Sequence, residues 1–241
     1  MSRVVRAAVG LAMLVVLLGC DATAVPRRAA APTGTTAAQG EMPGLARPSF
    51  TAPATATGTA TPTPSAVEIP VEGTGRFAVA PGESAQSGPG RLLRYTVEVE
   101  EGLPYDPVEI ATVVDSTLAD PRGWTAAGGH AFQRTSADGD VRVLLATPAT
   151  TDELCAPLRT RGEVSCRNGD LVVINARRWA YGVEAYRGDV EGYRQYVVNH
   201  EMGHAVGFGH TGCSGPGELA PVMHQQTFGL DGCLPNPWPH P

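Results

Sequence analysis

The chain has 241 residues, of which 42% are hydrophobic and 17% charged, with a formal net charge of −6. That balance leaves room for a sizeable core and argues against nucleic acid as a partner, because there is no basic cluster to meet phosphates. Every basic residue is arginine, which reads as a compositional bias and not as a functional pattern.

Residues 1–19 read as a lipoprotein signal peptide. Arg3 and Arg6 form a basic head, and Ala7 to Leu18 form an apolar run too short to span a bilayer stably. The run ends in Leu17-Leu18-Gly19-Cys20, which resembles a bacterial lipobox with Cys20 as the lipidated first residue of the mature chain. The competing reading is an ordinary secretory signal that happens to contain a cysteine. Residues 20–66 continue as an Ala/Thr/Pro-rich stretch, with Thr61-Pro62-Thr63-Pro64 near its end. It has almost no large apolar side chains, so burial cannot offset the entropy of folding. It is expected to be a disordered stalk between the membrane and a folded domain at 67–241.

In that domain Leu93, Tyr95, Val97 and Val99 alternate with Arg94, Thr96, Glu98 and Glu100, the period of a half-buried strand. Asp106-Pro107-Val108-Glu109 supplies an N-cap, a proline at the first helical position and an acid in the first turn. Ile110, Val113, Val114 and Leu118 then follow at helical spacing up to Asp120-Pro121. Phe132–Thr135 and Val141–Thr147 flank Ala137-Asp138-Gly139, which predicts a hairpin. Cys155, Cys166, Cys213 and Cys233 are an even set in an oxidising compartment and allow three pairings. The two local pairings, Cys155–Cys166 and Cys213–Cys233, are favoured. A zinc–cysteine site is the alternative, but no Cys-x-x-Cys pair supports it. Leu171–Asn175 is strand-like. A last helix is capped by Asp189, carries Tyr193, Val197, His200 and His204 on one stripe, and closes near Gly207. The fold class is α+β.

The chemistry sits at the end of that helix, in His200-Glu201-Met202-Gly203-His204-Ala205-Val206-Gly207-Phe208-Gly209-His210. Histidines four apart share one face of a helix and can reach one ion. Gly207 breaks the helix, so the turned chain can bring His210 to the same ion. Glu201 is rotated off that line, free to act as general base on a zinc-bound water. Half of the six histidines of the chain fall in this stretch. A helix with solvated histidines is the bland alternative.

The stretch resembles the extended zinc motif of the metzincin metallopeptidases, and Pro221-Val222-Met223 resembles their Met-turn. The resemblance implies a metzincin-like zincin domain: a small mixed sheet, a backing helix and an active-site helix, divided by a cleft. It implies His200, His204 and His210 as ligands of one Zn2+, Glu201 as catalytic base, and Met223 as the apolar floor of the site. It also implies an edge strand that binds an extended peptide. Where several metzincins have a tyrosine two residues after that methionine, this chain has Gln225. More broadly, the region from about Val67 to Asn236-Pro237-Trp238-Pro239 is similar to an uncharacterised family of actinobacterial secreted lipoproteins, known as a domain of unknown function.

The expected activity is zinc-dependent hydrolysis of peptide bonds by a monomer outside the cytoplasmic membrane, held there by its N-terminal lipid or released from it. A non-catalytic zinc-containing binding lipoprotein and a cell-wall peptide amidase are the alternatives. His224 reads as a turn or surface histidine, with substrate binding as the other option. Trp179 and Tyr181 either line a groove or pack against the helix. Asn199 is a candidate to steady a ligand by a hydrogen bond.

Overall fold

The alternating segment Arg91–Glu100 forms the longest strand, and three of the other five strands pair directly along its two edges. The computed structural model describes residues 67–241, so the signal peptide, Cys20 and the stretch up to residue 66 lie outside the described residues. The elements are β1 (Phe77–Val79), β2 (Arg91–Glu100), α1 (Pro107–Ala119), β3 (His130–Arg134), β4 (Val141–Ala146), α2 (Pro148–Cys155), β5 (Cys166–Asn168), β6 (Leu171–Asn175), α3 (Ala176–Tyr181), a short 3-10 turn at Glu184–Tyr186 and α4 (Val190–Ala205). They make a mixed α+β fold with one six-stranded sheet in the order β1-β2-β4-β6-β5, with β3 also paired to β2. β2, β3, β4 and β6 run parallel, while β1 and β5 are antiparallel to their neighbours. No helix among the described residues is long and apolar enough to cross a membrane.

The expected hairpin does not form. β3 lies beside Arg91–Tyr95 and β4 beside Tyr95–Val99, both parallel to β2. Thr135 N donates to Tyr95 O and Asp140 N to Arg94 O, both at 2.8 Å, and carbonyls of successive residues point to opposite edges of a strand. The link between the strands therefore crosses over β2. Gly139 makes the crossing feasible, since a Cβ there would sit 3.0 Å from Thr96 N. The glycine that resembles a hairpin residue serves a close backbone approach instead.

One sheet face, carrying Tyr95, Val97, Val99, Val143, Leu145, Val172 and Ile174, packs with α1 and α4 into the main core. On the other face Leu144 and Val173 pack with Cys155 and Cys166 near α2. The polar set of β2 is not solvated as its alternation implies, because Thr96, Glu98 and Glu100 are all buried. Arg142 donates to Glu98 at 2.6 and 2.7 Å through a two-pronged contact. Glu100 accepts from Gly75 N, Thr147 N and Thr150 Oγ1, each at 2.7 Å. Burial alone would raise the Glu100 carboxyl, but these donors outweigh it and hold the group below the ordinary carboxylate range.

The two helices anticipated from sequence form where their caps place them. Asp106 accepts from Val108 N at 2.7 Å, and Asp189 accepts from Gly192 N at 2.9 Å. α4 differs in its surroundings. Instead of one buried stripe, Tyr193 and every residue from Tyr196 to Gly203 are buried. The helix lies against the sheet and α1, and the chain after residue 206 folds back over it, so few of its faces meet water. Both local disulfides, Cys155–Cys166 and Cys213–Cys233, are present.

Glu100→Gln should lower stability by about 1–3 kcal/mol, since an amide nitrogen would then face backbone donors. Urea unfolding checks this, and an unchanged midpoint would contradict it.

Candidate metal centre

Three imidazoles converge at the C-terminal end of α4. His200 and His204 lie one turn apart on the helix. Gly207, at φ 101°, turns the chain so that His210 comes back toward them. The ligand-capable atoms of His200, His204 and His210 all lie within 4.8 Å of one another. His204 Nε2 and His210 Nε2 are 3.0 Å apart.

The outer nitrogens are committed elsewhere. His200 Nδ1 lies 2.8 Å from Val222 O, and His204 Nδ1 lies 2.8 Å from Phe208 O. A carbonyl only accepts, so both Nδ1 atoms carry protons and both Nε2 atoms present lone pairs inward. Nitrogens sharing a tetrahedral ion at about 2.0–2.1 Å would be about 3.3 Å apart, close to the 3.0 Å between His204 and His210 and within the 4.8 Å that bounds all three. The donor set therefore fits a single small divalent ion.

Burial pushes His200 down to about 3, against the bond to Val222 and aided by the neighbouring imidazoles. Burial likewise lowers His210, with contributions from His204 and His224. Both rings are thus held neutral, the form that ligates. Glu201 is buried and pushed up to about 8, with burial as the sole cause. The histidines and Glu201 line a cavity of about 440 Å³, shared with Leu158–Thr160, Val164–Arg167 and, across from them, Gln225, Thr227 and Phe228.

The Pro221–Gln226 turn braces the His200 ring directly and anchors the backbone beside His210. Val222 O receives the His200 bond, and Met223 O accepts from Thr211 N at 3.1 Å, next to His210. Met223 is 4% exposed and lies so close to Gly203 that a Cβ there would collide with its Sδ and with Trp124. Tyr196 OH donates to His224 O and accepts from Gln226 N, both at 2.9 Å. Gln226 is fully buried and bonds to Tyr186 OH, Pro221 O, and the backbone N and O of Asn236. Asn236 in turn reaches Ala220 O and Trp238. The C-terminal segment thus ties down the turn. Neither Gln226 nor Asn236 stands out in sequence; only the close run of prolines around Asn236 hints at an ordered terminus.

Other residues settle into simpler roles. His224 does sit in the turn, its backbone N donating to Pro221 O at 2.8 Å, but it is buried and not at the surface, with its ring nitrogens 3.3 Å from Thr211 O and 3.2 Å from Gly229 O. Asn199 does not steady a ligand side chain: its side-chain amide nitrogen donates to Pro237 O, and its backbone carbonyl accepts from Trp124 Nε1. Trp179 is core, and Tyr181 is exposed; neither lines the cavity. Gln225 is exposed at the cavity wall.

A family profile described as "Protein of unknown function (DUF3152)" matches residues 63–241. The chain belongs to this family. Comparison with curated proteins and with solved structures returned no match.

Two outcomes are expected. Gly203→Ala, which would stabilise an open helix by about 1 kcal/mol, should instead lower the melting temperature and weaken metal binding, because the added methyl displaces Met223. Equal or higher stability with unchanged metal affinity would contradict that packing. In the metal-free protein His200 is neutral when folded but has an ordinary pKa near 6.5 when unfolded. Its contribution to stability is present above that value and is lost as pH falls toward about 3. His200→Gln should therefore flatten the acid side of stability measured by urea at pH 7 and pH 5; identical slopes would contradict it.

Proposed function

We propose that the protein is a zinc-dependent, metzincin-like endopeptidase acting outside the cytoplasmic membrane. The observation that carries this reading is the convergence of three inward Nε2 atoms beside a buried carboxylate in an open cavity. A structural zinc site is closed by four protein ligands, whereas three leave a position for chemistry.

His200, His204 and His210 would hold the ion, with Val222 O and Phe208 O fixing the first two rings in the ligating tautomer. A zinc ion held there would supply Lewis acidity, polarising a carbonyl and making a water more acidic. Glu201 takes the proton from the attacking water and delivers it to the departing amine. Its buried setting keeps the carboxyl basic enough for both transfers near neutral pH. Met223 keeps the floor apolar and the rings in place. Among the described residues β5 pairs only with β6, so its outer edge is the one to receive an extended peptide laid along the cleft. Gln225, on the cavity wall, is the side chain available to donate a hydrogen bond toward the developing oxyanion.

Zinc-loaded protein should cleave members of an unbiased peptide library read by mass spectrometry. Glu201→Ala should retain one zinc per chain while losing at least about a hundredfold in turnover, and His204→Ala should lose the metal itself. Cleavage that survives removal of zinc would overturn the proposal. Silence with zinc bound would favour the non-catalytic binding protein or the cell-wall amidase.

A further inference from the structure

The cleft wall opposite the Pro221–Gln226 turn carries an uneven charge distribution. It is built from the α2–β5 connection and β5 itself, closed at its base by the Cys155–Cys166 disulfide. Asp152 stiffens it by accepting from Gly162 N at 2.7 Å and from Thr160 Oγ1. Two arginines of this wall, Arg159 and Arg167, both exposed, line the same cavity as the three histidines. Among the described residues neither takes part in an ion pair. Glu201 is the one acidic side chain lining that cavity among the described residues.

The chain as a whole is acidic, at −6, so this local excess of positive charge runs against its average. Exposed arginines on a flat surface would need no explanation. Here they share a concave site with Leu158 on their own wall and Phe228 on the other, apolar side chains that are 55% and 69% exposed. Apolar walls lower the local dielectric and lengthen the reach of each charge, and a concave site focuses the field. Arginine is suited to such a place because its planar fork meets both oxygens of a carboxylate at once. A peptide lying along β5 would pass Arg167 directly, since that residue belongs to the strand.

We infer that this cleft selects ligands carrying a carboxylate, received by Arg159 and Arg167. The inference rests on the reading of the cavity as a peptide-binding cleft. The carboxylate is either an internal Asp or Glu side chain or the free C-terminus of the peptide.

The test uses the full chain as the Glu201→Gln variant, loaded with zinc so that bound peptides stay intact. Rhodamine-labelled peptides of one neutral host sequence, capped at both ends, carry Glu, Gln or Lys at each position in turn. A further peptide keeps the neutral sequence with a free C-terminal carboxylate. Binding is read by fluorescence anisotropy. At least one Glu peptide, or the uncapped peptide, should bind about fivefold tighter than its Gln or capped counterpart, with Lys weaker still. A gain confined to Glu assigns a side-chain carboxylate; a gain confined to the uncapped peptide assigns the chain terminus. The preference should vanish when Arg159→Glu and Arg167→Glu are combined, and shrink in the milder Arg159→Gln, Arg167→Gln pair. It should persist in Arg177→Glu, which alters an exposed arginine outside the cavity. Equal binding of Glu, Gln and Lys peptides, a preference that survives both arginine pairs in folded protein, or no binding at all would overturn the inference. If the wild-type protein cleaves none of these peptides while the charge preference stands, the peptidase reading fails and the carboxylate site remains.

Discussion

The site depends on one constraint: the Pro221–Gln226 turn must lie flush against the C-terminal half of α4. Gly203 permits that approach, because a side chain there would overlap Met223 and Trp124. Once the turn is seated, Val222 O orients His200 and Met223 O anchors the chain beside His210. A helix alone would place two imidazoles on one face but leave both rings free to rotate. The turn fixes His200 through Val222 O, and the loop just after the helix fixes His204 through Phe208 O, so that proximity becomes a defined set of inward lone pairs.

The turn is held from outside as well. Tyr196, Gln226 and Asn236 form a buried network in which each polar group bonds to backbone or to another member. Such networks are costly when incomplete and rigid when complete. The Cys213–Cys233 bridge closes the same loop covalently, and Cys155–Cys166 fixes the opposite wall. Both sides of the cavity are therefore stapled.

Much of this was legible in the sequence where the governing interactions are local. Asp106 and Asp189 cap the helices they precede, and the spacing of His200, His204 and His210 is a property of one helix and one glycine turn. The disulfide partners are near neighbours in the chain. What could not be read depends on distant partners. Glu98 and Glu100 alternate like solvated residues, yet are buried because Arg142 and the Thr147–Thr150 segment arrive from elsewhere to satisfy them. Ala137-Asp138-Gly139 has hairpin chemistry but crosses β2 instead, and nothing local distinguishes the two uses of that glycine. Arg159 and Arg167 meet the histidines only through the fold.

The central claim is that three histidine nitrogens, and no cysteine sulfur, form the protein part of an open metal site. X-ray absorption at the zinc edge of the metal-loaded protein tests it most directly. The account predicts one zinc per chain, with a first shell of nitrogen and oxygen only at about 2.0–2.1 Å and three imidazole scattering patterns. Sulfur at about 2.3 Å, or a failure to bind zinc stoichiometrically, would contradict it.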